Sequence, residues 1–185
     1  HIHEQVAFIL GLTGSNVKIT TRRIGGGFGG KGRPSDIVAI AAAIGAKVSG
    51  RRAIMEMTLR HSHQINGGRP EARGDWVAKF NQTTKKLLSL KVDLYMDVGH
   101  TANDGKIYDF CINTLRACAQ GPYAVEHGVE WNTHLVKTNK PAAVAMRAPG
   151  EMIPLYILES IMDRGAIALD TTPAALRAAN LLNTT

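Results

Sequence analysis

Apolar residues recur along this chain with two periods, and the switches between them predict its elements. "EQVAFILGL" (4–12) has helical spacing and meets stop signals at Gly11 and Gly14. "NVKITTRRI" (16–24) is β-branched and alternating, so it predicts a strand leading into a run of glycines. "PSDIVAIAAAIGAKVSG" (34–50) predicts a helix, with Pro34 near its first turn and Gly50 just past its end. "RRAIMEMTL" (51–59) predicts a second strand, followed by a polar, glycine-bearing segment over 60–74. "DWVAKFN" and "KLLSLKVDLYMDVG", joined through "QTTKK", predict an antiparallel hairpin. "DFCINTLRACA" (109–119) predicts a helix before the turn "QGPY", and "VEWNTHLVKTN" (129–139) a further strand. After Pro141 and a kink at "RAPG" comes the long helical pattern "EMIPLYILESIMDRGAIAL", whose Pro154 suits a first turn. In "TTPAALRAANLL" (171–182), Thr172 is placed to cap a terminal helix and Pro173 to open it. The fold class expected is α+β: helices packed on a mixed, largely antiparallel sheet.

Composition narrows the classes. The chain has 185 residues and 44% hydrophobic content, enough for a real core without disulfide or metal support. No run of 18 apolar residues occurs, so no membrane span is expected. The chain opens His-Ile-His, with neither an initiator methionine nor a signal-peptide pattern, as a processed or trimmed chain would. Cys111 and Cys118 are too few for a disulfide framework and read as reduced core thiols. That chemistry suits an intracellular compartment, the cytoplasm or the mitochondrial matrix. A formal charge of +7 points to an anionic neighbour: nucleic acid, anionic lipid or an acidic partner protein. With only 5% aromatic residues and scattered basic pairs, base stacking is not expected.

The segment "RRIGGGFGGKGRP" (22–34) invites three readings. Gly25, Gly27 and Gly30 match the dinucleotide fingerprint, with Glu56 further on as an acidic partner. Against it, "KGRP" delays the following helix, and a hairpin stands where a βαβ alternation should continue. Gly25, Gly30 and Lys31 match most of a P-loop, but Gly32 replaces the magnesium-binding hydroxyl. A glycine-rich turn that merely packs is the third.

The loop does not stand alone. "RRIGGGFGGK" resembles the R-[IL/M]-G-G-G-F-G-G-K motif in the large subunit of the molybdenum hydroxylases, the xanthine dehydrogenase and aldehyde oxidase family. In order along the chain, "INGGRP" (65–70) resembles that family's "TGGRHP", and "VDLYMDVGHT" its strand ending in Asp or Asn before glycine. "AMRAPG" (145–150) with its following helix resembles the family's second motif, and "TTPAALRAANLL" its P-x-x-[LVF]-R-x-x-N-L terminus. The resemblance implies one partial molybdopterin-binding domain over residues 1–185. Its glycine loop spans 24–32, its second motif 145–150 and its C-terminal helices 151–182. It implies molybdenum-molybdopterin as cofactor, held by Gly27, Phe28, Gly29 and Arg147, with a bridge from Arg147 to a helix carboxylate such as Glu151 as the structural alternative. Backbone amides suit an oxygen-rich anion, and glycines keep side chains out of the way. Hydroxylation of an aldehyde or N-heterocycle is the implied chemistry.

The same comparison marks departures. Gly32 stands where xanthine-oxidising members carry glutamate, and Pro149 where others carry a substrate-clamping phenylalanine. The substrate arginine of purine-oxidising members falls near Thr114 or Arg116. Purine oxidation is therefore disfavoured. The family's general-base glutamate lies in a "G-E" segment that this sequence does not include, and two cysteines cannot ligate an iron–sulfur cluster. No catalytic residue and no metal ligand is assigned. The chain is expected either to join the remaining segments or subunits of such an enzyme, or to be a degenerate, non-catalytic paralogue. The latter would be a structural subunit of a larger mitochondrial or RNA-containing assembly. His61 and His63 read as exposed loop residues, Asp93 and Asp97 as hairpin solubility and a turn signal, and Glu159 with Asp163 as a solvated helix face.

Overall fold

The computed structural model describes residues 2–101 and 106–182, and side chains of α4 only from residue 112 onward. Two compact units emerge, one of residues 1–68 with 141–147, the other of residues 69–140 with 148–185. The charge divides with them. The first unit holds ten Lys and Arg against three Asp and Glu, the whole net charge of +7; the second holds twelve of each.

In the first unit, helix α1 (Ile2–Leu10) packs against α2 (Gly32–Ser49). Gly50 closes α2 in the left-handed conformation, its N–H donating to the Ala46 carbonyl, as a C-terminal glycine should. The strand expected over 16–24 does not form. A 3-10 turn at Gly14–Asn16 gives way to irregular, exposed chain up to the glycine loop. The strand expected over 51–59 is absent too. That segment is irregular, and its last residues start helix α3 (Leu59–Ile65), where the Thr58 hydroxyl accepts from the His61 N–H. β-branched residues favour a strand only where a neighbour offers a ladder and a surface, and no described strand lies in this unit.

The second unit is a three-stranded mixed sheet, order β1-β2-β3, with helices on one face. Strands β1 (Ala72–Phe80) and β2 (Leu87–Gly99) form the expected antiparallel hairpin, Trp76 opposite Val92. β3 (Val129–Lys137) lies parallel to β2, returning after α4 (Lys106–Cys118). Alternation sorts the faces. Leu90, Val92, Leu94 and Met96 point inward with Trp76, Ala78 and Trp131, against Ile157, Leu158, Ile161 and Met162 of α5 (Met152–Ala168). Burying each such side chain is worth about 1.5–3 kcal/mol.

Helix α6 (Pro173–Asn180) shows why its sequence reads as it does. Thr172 caps it, accepting from the Ala175 N–H. Asn180 is fully buried: its Oδ1 accepts from the Leu87 N–H, and its Nδ2 donates to the carbonyls of Lys85 and Leu176. The helix end is thereby stitched to the start of β2. Glu159 and Asp163 are not simply a solvated face. Arg177 of α6 reaches both, at 2.7 Å each, and the Tyr123 hydroxyl donates to Glu159 at 2.8 Å. Burial, then the Glu159 carboxylate, pushes the Tyr123 phenol up to about 12.

Candidate functional site

Three sequence segments that are far apart in the chain meet in the first unit. The glycine loop makes its turn through left-handed backbone at Gly26 (φ 92°), Phe28 (φ 49°) and Gly29 (φ 88°). For a bulky residue such as Phe28 that conformation is strained, by about 1–2 kcal/mol, and strain of this kind gathers at functional sites. The Phe28 ring folds back towards Gly26, where a Cβ would come within 2.8 Å of it, yet the residue stays 67% exposed. The turn closes through the Gly32 N–H and the Gly29 carbonyl at 3.2 Å, and α2 starts there. The amides of Gly27, Phe28 and Gly29 donate to no backbone carbonyl among the described residues.

Behind this turn lies the segment over 141–147. A Cβ on Gly29 would sit 2.0 Å from the Ala145 carbonyl oxygen, so only glycine allows the two main chains to touch. A Cβ on Gly30 would lie 3.2 Å from the Met146 Sδ. The third segment, Asn66 to Gly68, joins both. The Gly67 N–H donates to the Ala142 carbonyl at 3.1 Å, the Val144 N–H donates to the Gly68 carbonyl at 2.8 Å, and Asn66 Nδ2 donates to the Gly30 carbonyl at 2.6 Å. Ala142, Ala143 and Val144 are buried, and Arg147 emerges exposed two residues beyond Ala145. Sequence reasoning placed the loop and Arg147 in one site but gave Asn66 no part in it. Its signal was the polar residue fixed ahead of two glycines in "INGGRP".

The other candidates lie as follows. Gly32 is the first residue of α2, and a Cβ there would meet nothing within 4 Å. Pro149 is half-buried in the second unit, next to Ala148, which has φ 59° and whose carbonyl accepts from Arg69 Nη1 at 3.2 Å. Thr114 is half-buried and Arg116 exposed on α4. His61 and His63 are exposed as expected, but on α3 rather than a loop, since Thr58 caps a helix there. Among the described residues, no group of three His, Cys, Asp or Glu could hold a metal ion. Cys118 is a free, half-buried thiol; Cys111 lies outside the described side chains. Asp97 does more than end a strand. It accepts from the Thr138 hydroxyl and the Gly99 N–H and pairs with Lys140 at 3.0 Å, and these partners hold its carboxyl down to about 2.

A separate cleft of about 340 Å³ lies between β1 and α5, lined by Trp76, Met152, Ile153, Tyr156 and Ile157 with Arg69 at one end. It contains none of the residues expected to bind a ligand. The loop preceding α2 also fits neither nucleotide reading. No described strand runs into it, and the described strands form a three-stranded mixed sheet rather than a doubly wound parallel one. No described helix is long and apolar enough to cross a membrane.

Comparison with known proteins gives the family and the fold. The family model for the molybdopterin cofactor-binding domain matches residues 1–181. The abscisic-aldehyde oxidase of Arabidopsis thaliana is 33% identical over 98% of this chain, and an indole-3-acetaldehyde oxidase of Zea mays is 31% identical over 95%. The chain spans 13% of the length of each of these two relatives. Among solved structures, the aldehyde oxidoreductase from Desulfovibrio gigas superposes with TM-score 0.80 at 24% identity, covering 98% of this chain and 19% of that one. The CO dehydrogenase from Oligotropha carboxidovorans superposes with TM-score 0.81 at 18% identity, covering 98% of this chain and 22% of that one.

Proposed function

Since this chain belongs to the molybdopterin cofactor-binding domain family, we propose that residues 1–185 form a partial cofactor-binding domain whose glycine loop cradles the pterin cofactor. The observation that carries this reading is the left-handed Phe28, held between Gly26 and Gly29 with its amide directed to no backbone acceptor. A strained turn that offers bare N–H groups is a ready anion cradle. Gly27, Phe28 and Gly29 would donate through their backbone, and the Arg147 guanidinium would add positive charge. The concentration of the whole net charge in this unit suits the same anionic group. When bound, the cofactor supplies a molybdenum centre able to hydroxylate a carbon. The chain's own residues bind and orient it; the proton acceptor and the electron-transfer groups come from other segments or subunits.

An aldehyde is the substrate class the residues favour. Gly32 offers open space and no hydrogen-bonding side chain where a purine would need one, and Pro149 cannot stack on a flat heterocycle as phenylalanine does. The two relatives named above are aldehyde oxidases. The test is metal analysis of the native protein with an assay of aldehyde-dependent dye reduction. About one molybdenum per chain and reduction with aldehydes but not xanthine are expected. Absence of molybdenum would overturn the reading. Absence together with co-purifying RNA would favour the non-catalytic structural paralogue, which draws on the same basic unit.

A further inference from the structure

Asn66 has no part in the cofactor contacts proposed above, yet it is the side chain that ties the loop to its support. Its Nδ2 donates to the Gly30 carbonyl at 2.6 Å across 36 residues of sequence. Only the nitrogen end of the amide can donate, so that bond fixes its orientation. The other end, Oδ1, is shielded from solvent and has no partner. A buried acceptor left unsatisfied is costly, so packing alone would favour an apolar side chain here. What retains the amide is the work of its nitrogen.

The mounting is stiff. Directly after Asn66, the Gly67 N–H and Gly68 carbonyl bond the main chain of Ala142 and Val144. A Cβ on Gly67 would lie 2.5 Å from the carbonyl oxygens of both Pro141 and Ala142, so this contact closes backbone on backbone. A fixed strut therefore carries one donor to the carbonyl two residues after Phe28. We propose that Asn66 is a positioning residue: by holding the Gly30 carbonyl it fixes the turn in which Phe28 and Gly29 present their amides, and cofactor retention depends on it. The retention part rests on the cofactor-binding reading above; the clamp itself does not.

The test compares the native protein with Asn66→Ala and the isosteric Asn66→Asp, following amide hydrogen exchange at Gly32, whose N–H closes the loop on the Gly29 carbonyl, with molybdenum per chain and thermal unfolding. Both variants should speed exchange at Gly32 about tenfold, as loosening of that one hydrogen-bonded turn would. Exchange in β2 and the melting temperature should stay unchanged, which separates a loop clamp from general stability. Molybdenum content should fall several-fold in both. A protonated carboxyl can donate to the Gly30 carbonyl, so Asn66→Asp should regain wild-type loop protection as pH falls below about 4, the ordinary carboxyl range. Asn66→Ala should not. Wild-type exchange in the loop of Asn66→Ala, or an Asn66→Asp defect indifferent to pH, overturns the clamp. A loosened loop with undiminished molybdenum overturns its link to the cofactor. Molybdenum missing from the wild type instead defeats the cofactor reading, while the exchange data still decide the clamp. Should Asn66→Ala unfold, the pH response of Asn66→Asp decides it.

Discussion

Gly29→Ala puts a single methyl where two main chains touch. Gly29 has φ 88°, and a residue with a Cβ pays about 1–3 kcal/mol to stay there. The new Cβ would stand 2.0 Å from the Ala145 carbonyl oxygen and 2.7 Å from its carbon, far inside van der Waals contact. Those atoms are backbone and cannot swing aside. Val144, just before Ala145, is buried and bonded to Gly68, so the segment yields only by moving as a whole. Overpacking of that kind costs about 1–3 kcal/mol, for a total of about 2–6 kcal/mol. Gly25→Ala is the control, because Gly25 has ordinary φ and open space around its Cβ position; it should change stability by less than about 0.5 kcal/mol. The assay is urea unfolding of both variants, with hydrogen exchange at Gly32 in the loop segment and Val144 in the second, the amides that are hydrogen-bonded there. Exchange should rise in both segments together for Gly29→Ala. If Gly29→Ala is as stable as Gly25→Ala, the close contact between loop and second motif does not exist, and the site described above is wrong.

Four further outcomes follow from the same structure. Gly32→Glu should be neutral or stabilising by up to about 1 kcal/mol, since it replaces glycine at a helix start where space is open and negative charge is favoured; thermal unfolding checks it. Asn180→Ala strips partners from the Leu87 N–H and the Lys85 carbonyl, and should cost about 2–4 kcal/mol in chemical denaturation. Asp97 sits at about 2 in the folded state against an ordinary 3.8, so its stabilising contribution is complete above about pH 4. It is lost as pH falls from there through 2, and Asp97→Asn should flatten that limb of the melting temperature plotted against pH. Tyr123 is raised to about 12, so its neutral phenol supports the fold up to the ordinary tyrosine range and that support fades as pH rises through 12. Ultraviolet titration should show a late-ionising tyrosine component that disappears in Tyr123→Phe.

The sequence by itself determined those elements whose local signals are unambiguous, though not α3, whose Thr58 cap lies inside a stretch that reads as a strand. Thr172 and Pro173 announce α6, Gly50 ends α2, and the period-two alternation of Leu90, Val92, Leu94 and Met96 declares a one-sided sheet. It also determined kinship, because the glycine loop, "INGGRP" and "AMRAPG" recur in order. Where the physics is non-local, only the tertiary structure decided. The β-branched stretches at 16–24 and 51–59 remain irregular because a strand needs a partner, and periodicity says nothing about whether one arrives. Arg177 turns Glu159 and Asp163 from a solvated pair into a clamp from eighteen and fourteen residues away. Asn66 reaches Gly30 across 36 residues, and Gly29 meets the carbonyl of Ala145, through contacts that exist only once the chain has closed on itself.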